Sequence, residues 1–250
     1  MDTNYISAHT FEDQENVANK FSKYDLLAMP VVDDENRLVG IVTFDDAIDV
    51  MQDEATEDIK KMAAIIPSDK TYFRTTVYET WKARIPWLLL LMVSATFTGM
   101  IITSFEDALA AYTVLTAYIP MLMDTGGNSG GQASVTIIRA LSLEEVEFSD
   151  IFKVIWKEAR VAVLCGLTLA ICNFAKLLLF EKVAVTVAAV VCITLVATVF
   201  IAKIIGCTLQ ILAKKIGFDP AVMASPFITT IVDAVSLLVY FRVAAMFLKL

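Results

Sequence analysis

The sequence predicts an all-α polytopic membrane domain of five transmembrane helices that follows a small N-terminal α/β module. Hydrophobic residues make up 57% of the 250 residues and the mean hydropathy is +0.66, which is too apolar for an ordinary soluble domain. Long apolar segments begin near Ile85, whereas the N-terminal residues alternate between short helical and strand patterns. We therefore divide the chain into a module of residues 1–54, a connector of residues 55–84 and a membrane domain of residues 85–250.

The N-terminal module combines one helical pattern with two strand patterns. The helical pattern Asp13–Tyr24 precedes two β-rich runs, Leu27–Val32 and Arg37–Val42, which a polar turn separates. Thr43 then stands where a helix N-cap is expected, with acids in the first turn. The second helix is predicted to end at about Asp53.

Charge is distributed unevenly along the chain. Residues 1–70 carry 16 acids and six bases, whereas residues 71–250 carry 12 acids and 14 bases. The acidic N-terminal part argues against nucleic acid and anionic lipid as partners and favours cations. The connector is interpreted as two helices at the membrane surface that meet at Pro67.

Five apolar segments are predicted to span the bilayer, because most approach the 20 or so residues that a spanning helix needs. They cover approximately residues 85–105, 108–124, 161–180, 183–206 and 218–248. The second runs on toward Leu141, so it can form one long helix interrupted at its glycines. Basic residues cluster before the first segment and after the second and fourth, which predicts a multi-pass cell-membrane protein with a cytoplasmic N-terminus and an external C-terminus.

The sequence contains no pattern typical of an enzyme. It has one histidine, which nearly excludes the usual general base, and no Ser-His-Asp, H-E-x-x-H, P-loop or Rossmann motif. The four cysteines lie in apolar segments without C-x-x-C spacing, so neither a disulfide framework nor a zinc site is predicted. We therefore predict that the chain is not an enzyme.

One carboxylate, Asp233, stands inside the last apolar segment, which is otherwise uncharged from Pro220 to Phe241. A carboxylate near the middle of a bilayer costs about 2.5–3.5 kcal/mol on insertion scales and normally faces water or a counter-ion. An ion pair with Arg242 is the weaker interpretation, because nine residues along a helix separate the two by about 13 Å. Asp233 therefore indicates an ion pathway.

Polar residues surround this carboxylate in the sequence. Pro226 is expected to kink the helix, and Thr229 and Thr230 add hydroxyl groups one turn before Asp233. Asp219 is either part of an entrance or the N-cap of the last span. A kinked helix with a polar face suits a cation path.

Just after the second apolar segment, four glycines fall within six positions of its continuation, at Gly126, Gly127, Gly130 and Gly131. Such backbone can leave the helical form and turn its carbonyls toward a cation where it lines a cavity. The alternative is close helix packing or a simple helix break. Asn128, Gln132 and Thr136 lie four residues apart, which gives one helical face a polar character.

The acids of the N-terminal part suggest a second cation site. Glu54, Glu57 and Asp58 lie at i, i+3 and i+4 on one predicted helical face, where like charges repel by a few tenths of a kcal/mol per pair. A solvated acidic face explains this spacing, and so does a bound cation that neutralises it.

Two stretches of sequence resemble known families. Residues 5–54, with MPVVDDENRLVGIVTFDDAIDVM at their centre, look like a CBS module. The segments IPMLMDTGGNSGGQASVTIIRAL and GFDPAVMASPFITTIVDAVSLLVYF look like the paired signatures of MgtE-type magnesium channels. The family's usual N-terminal helical domain and first CBS module are not seen, which leaves ATP binding and full gating open.

The resemblance implies a homodimeric channel that moves hydrated Mg²⁺ into the cytoplasm. The second and fifth spans of both subunits would line one central pore, with Asp233 as the pore acid. Further pore positions implied by the resemblance are Asn128, Gly127, Gly130, Thr229 and Ala221. Magnesium-sensing acids that would gate the channel are implied at Asp13, Glu15, Asp25, Asp46, Glu54, Glu57 and Asp58.

Two other functions compete with a channel. A secondary transporter would exchange Mg²⁺ for Na⁺ or protons, and Asp233 would titrate during its cycle. A non-conducting membrane sensor would use the CBS module only to signal a ligand state. The sensor does not explain the polar faces around Asn128 and Asp233.

Overall fold

The computed structural model describes residues 5–68, 70–223 and 225–248, apart from the side chains of Asp107, Ala108 and Ser225. The chain separates into two compact units. The N-terminal unit runs up to Lys60 and includes Pro67–Arg74, and the membrane unit comprises Lys61–Ile66 and Thr75–Leu250. Among the described residues, four helices are long and apolar enough to cross a membrane. The predicted fold class, a polytopic α-helical membrane domain with a small N-terminal α/β module, is confirmed.

The N-terminal unit contains a three-stranded sheet and two helices. Strand β1 (Ala8–His9) pairs in parallel with β2 (Ala28–Val32), and β2 pairs antiparallel with β3 (Leu38–Thr43). Helix α1 (Gln14–Tyr24) precedes β2, and helix α2 (Phe44–Met62) follows β3. The core that these elements share consists of Ala8, Ala18, Phe21, Met29 and Ala47.

Helix α2 continues past its predicted end at Asp53 to Met62. The residues beyond Asp53 include no glycine or proline and are mostly good helix formers. Repulsion between neighbouring acids is worth only tenths of a kcal/mol per pair, so it does not stop the helix. The first predicted connector helix is thus the end of α2. The second is the start of the next helix, which begins at a capping box between Thr76 and Glu79.

The membrane unit consists of helices joined by turns and short 3₁₀ segments. Its helices are α3 (Val77–Ser104), α4 (Glu106–Ala111), α5 (Ile119–Ser142), α6 (Ile151–Leu179), α7 (Val185–Lys215) and α8 (Ser225–Leu248). Helix α7 packs against α5, α6 and α8. In its most apolar stretch of 18 residues 56% of the residues are buried, compared with 6% in the corresponding stretch of α3. Helix α7 is therefore the central helix of the unit, and α3 faces outward from a single chain.

The predicted span over residues 108–124 is wrong in its bounds. Residues 106–111 form the short α4, residues 113–118 form a 3₁₀ segment, and the long helix α5 begins only at Ile119, with Pro120 in its first turn. Helix α5 then continues through all four glycines to Ser142. The expected interruption at the glycines is therefore absent. At 24 residues, α5 is about 36 Å long, which is enough to cross a bilayer.

The predicted kink at Pro226 is also wrong. Residues 220–223 form turns, and α8 begins at Ser225, so Pro226 lies in its first turn. A proline at this position costs no helix hydrogen bond, because the first N–H groups of a helix have no partner within it. Pro226 starts the last span and does not bend it.

Candidate ion pathway

One face of α5 is polar and exposed in the single chain. Asp124, Asn128, Gln132 and Thr136 recur every four residues, and all four are exposed. Residues four apart lie on the same side of a helix, so they form one continuous strip, which we call the polar face of α5. A polar strip at membrane depth requires water or another protein surface in front of it.

Gly126, Gly127 and Gly130 of α5 lie on its other side and pack against α7 and α8. A Cβ at Gly127 would lie 2.9 Å from the Cγ2 atom of Thr229, and a Cβ at Gly130 would lie 2.6 Å from the Cγ2 atom of Ile228. Gly130 also faces the backbone of Gly206. The glycines therefore permit close helix packing, which was the alternative interpretation, and their backbone stays helical.

Asp233 lies half-buried on α8, beside the start of this polar face. Asp124 of α5 is close enough for the two carboxylates to interact electrostatically. Within the described ranges, no lysine or arginine pairs with Asp233, and Arg242 is exposed elsewhere on the helix. Two acids from different helices, without a basic partner in that part of the chain, repel each other, and a cation between them would relieve that repulsion.

The other predicted pore residues near α8 have defined local roles. The hydroxyl of Thr229 donates to the carbonyl of Pro226 at 2.9 Å, and its oxygen keeps acceptor capacity. Ala221 is buried in the turn before α8, and its N–H donates to Asp219 Oδ1 at 2.8 Å. Asp219 also pairs with Lys61 through its other oxygen, at 2.6 Å. Asp219 therefore caps the turn before α8 and not α8 itself.

Two hydroxyl groups fix one end of the helices that carry the candidate pathway. Tyr240 of α8 donates to the carbonyl of Leu115 at 3.0 Å. Tyr118 donates to Glu181 Oε2 at 2.7 Å, and Lys176 lies 3.0 Å from the other oxygen of that carboxylate. These contacts with Tyr118 and Lys176 lower the pKa of Glu181, which lies in the loop between α6 and α7.

Sequence reasoning missed three buried residues with charged or amide side chains on the spanning helices α6 and α7. Gln210 of α7 is fully buried and donates to Ser134 on α5. Lys203 of α7 and Glu158 of α6 are both buried and lie 4.0 Å apart. A charged or amide residue inside a membrane span is itself the signal that would have found them.

The acids expected to sense magnesium are dispersed in the N-terminal unit. Asp13 caps α1, Asp25 ends α1 in a left-handed conformation, and Asp46 accepts from the Thr43 hydroxyl at 2.6 Å. Glu54 accepts from Gln14 at 2.9 Å. The others are Glu15 in α1 and Glu57 and Asp58 in α2. Among the residues described, no three acidic, histidine or cysteine side chains come together as a metal site.

Comparison of the sequence with known proteins identifies the family of this chain. The model of the MgtE family, described as a divalent cation transporter, matches residues 119–243, and the CBS domain model matches residues 1–53. The magnesium transporter MgtE of Thermus thermophilus is 39% identical over 249 residues, that of Bacillus subtilis 38% over 248, and that of Enterococcus faecalis 31% over 244.

These alignments cover 98–100% of this chain but only 53–55% of each relative. The chain thus spans about half the length of the relatives it matches. The family match includes all of α5 and most of α8, which carry the polar face and Asp233. The resemblance seen in the sequence is confirmed, and this chain belongs to the MgtE family of divalent cation transporters, with a CBS domain preceding its membrane unit.

Proposed function

We propose that two copies of this chain form a Mg²⁺ channel, with α5 and α8 of both copies around a central pore. The observation that carries this proposal is the polar face of α5, which is exposed in one chain and begins beside Asp233. A second copy related by two-fold symmetry would enclose the two faces and leave water between them. Magnesium is the ion named for the relatives of this chain.

The side chains on this path suit a hydrated ion. Mg²⁺ gives up its water reluctantly, and protein sites usually bind it through one or two carboxylates while several waters remain. Two copies of Asp233 supply that charge, and Asn128 and Thr229 supply hydrogen bonds to the ion's water shell. Gly127 and Gly130 contribute indirectly, because they let α5 approach the helices that it contacts.

Regulation is the second part of the proposal. The acids of the N-terminal unit bind cytosolic Mg²⁺, which screens their mutual repulsion and favours a closed channel. Since the described part of one chain gathers no three of them, the second subunit completes the binding sites. The basic residues that flank the spans favour a cell-membrane protein with a cytoplasmic N-terminus and an external C-terminus.

Uptake of Mg²⁺ by proteoliposomes tests the class of function. The purified chain is reconstituted, and Mg²⁺ uptake is measured under a Mg²⁺ gradient alone, then with added Na⁺ or proton gradients. We expect uptake that needs only the Mg²⁺ gradient. Uptake that requires an opposing Na⁺ or proton gradient would indicate an exchanger, and a chain that binds Mg²⁺ without any uptake would indicate a sensor.

A further inference from the structure

Gln210 makes two hydrogen bonds that no motif in the sequence predicts. Its side-chain Nε2 donates to Ser134 Oγ on α5 at 2.8 Å and to the backbone carbonyl of Met223 at 2.9 Å. Gln210 and Ser134 are both completely buried. Among the described residues, Gln210 is the side chain that hydrogen-bonds both to α5 and to the segment just before α8.

The Met223 carbonyl belongs to backbone that is not helical. Residues 220–223 form turns, and the N–H of Met223 is bonded to the carbonyl of Pro220 at 3.1 Å. Irregular backbone inside a membrane protein is stable only when protein groups or water satisfy its polar atoms. Gln210 provides such a group and so fixes where the turn lies relative to α7.

The amide of Gln210 is not simply filling space. Its Oε1 atom is buried without a hydrogen-bond partner in the described structure. An unpaired buried oxygen is unfavourable, and an apolar side chain of similar length would avoid it. The two donated hydrogen bonds are therefore the feature that an apolar residue would lose.

We infer that Gln210 is a positioning residue for ion selection. It fixes the offset between α5, which carries Asn128, and the segment before α8, the helix that carries Asp233. This inference rests on the proposed function, since the offset sets the spacing between groups that face the ion. In enzymes, misplacing the reacting groups by about 1 Å lowers rates as much as a hundredfold, and by the same reasoning groups that face an ion must be held closely.

Two variants remove these bonds to different extents. Gln210→Met keeps the length of the side chain and loses both bonds, and Ser134→Ala loses only the bond to α5. Leu212→Met, at an exposed position of the same helix, is the matched control. The measurements are Mg²⁺ and Ca²⁺ uptake by proteoliposomes. We expect the ratio of Mg²⁺ to Ca²⁺ uptake to fall about tenfold in Gln210→Met, to fall less in Ser134→Ala, and to stay constant in the control.

A distance measurement tests the same inference without conduction. Spin labels are placed at the exposed Val135 of α5 and the exposed Phe218 before α8, by chemistry that avoids the four native cysteines. Gln210→Met should shift or broaden the distance distribution, and Leu212→Met should not. The inference would be overturned if Gln210→Met left the distance distribution unchanged. It would also be overturned if Mg²⁺ and Ca²⁺ uptake fell by the same factor in Gln210→Met, so that their ratio stayed constant. If the wild-type chain showed no Mg²⁺ uptake, the proposed channel function would be wrong. The distance measurement would then still show whether Gln210 fixes the offset between α5 and α8.

Discussion

The contact between Gly206 and Gly130 gives the sharpest stability prediction, because two backbones meet there. A Cβ added to Gly206 of α7 would overlap the carbonyl oxygen of Gly130 and lie 3.2 Å from its Cα. No side chain can rotate away to make room. Gly206→Ala therefore forces α5 and α7 apart where they pack, and this packing holds the polar face of α5 in place.

The magnitude follows from two opposing effects. Alanine in a helix interior is more stable than glycine by about 0.5–1 kcal/mol, through backbone entropy. Overpacking a close contact costs about 1–3 kcal/mol. The net effect on the free energy of unfolding is a loss of roughly 0–2.5 kcal/mol, and the direct backbone contact places Gly206→Ala toward the upper end of that range. Gly99→Ala in α3, where nothing lies within 4 Å of the added Cβ, should raise the free energy of unfolding.

Reversible unfolding in mixed detergent micelles, followed by the loss of helical circular dichroism, measures both variants. The comparison with Gly99→Ala removes the propensity effect that the two substitutions share. If Gly206→Ala is as stable as Gly99→Ala, the two backbones are not in contact and the explanation of the glycine cluster is wrong.

Three further predictions concern polar contacts of the membrane unit. Removing one partner of the buried Glu158 and Lys203 pair, as in Glu158→Ala, should cost about 3–5 kcal/mol of unfolding free energy, and the double variant Glu158→Met with Lys203→Met should restore most of it in the same unfolding assay. Tyr240→Phe should cost about 1 kcal/mol, because it leaves the Leu115 carbonyl without this donor; equal stability would show that the bond contributes nothing. The lowered pKa of Glu181 contributes stability that is present above its ordinary value of 4.5 and is lost as the pH falls, so the melting temperatures of wild type and Glu181→Gln should converge in acid.

The fold was predictable wherever one local pattern decides the structure. Apolar length defined the last three spans approximately, and alternation defined β2 and β3 to within a residue. The helix through the glycines was not predictable, because glycine disfavours a helix only by about 1 kcal/mol and tertiary packing can outweigh that. The helix continues through the glycines because Thr229 packs against Gly127 and Gly206 packs against Gly130. These are contacts between distant parts of the chain.

The candidate site shows the same division. Asp233 stands out in the sequence because a carboxylate in an apolar segment is costly. The proximity of Asp124 and the bridge made by Gln210 depend on how α5, α7 and α8 pack, so neither follows from spacing along the chain. Pro226 was misread for a related reason, since a proline that starts a helix and one that kinks it look alike in sequence.

Mg²⁺ uptake by Asp233 variants tests the central proposal most directly. Wild type, Asp233→Ala and the control Asp34→Asn, at an exposed turn of the N-terminal unit, are reconstituted in equal amounts and compared under a Mg²⁺ gradient alone. The proposed channel predicts that Asp233→Ala loses most of the uptake and that Asp34→Asn keeps it. If Asp233→Ala is folded and correctly inserted and still takes up Mg²⁺ at the wild-type rate, the assignment of Asp233 to the ion path is contradicted.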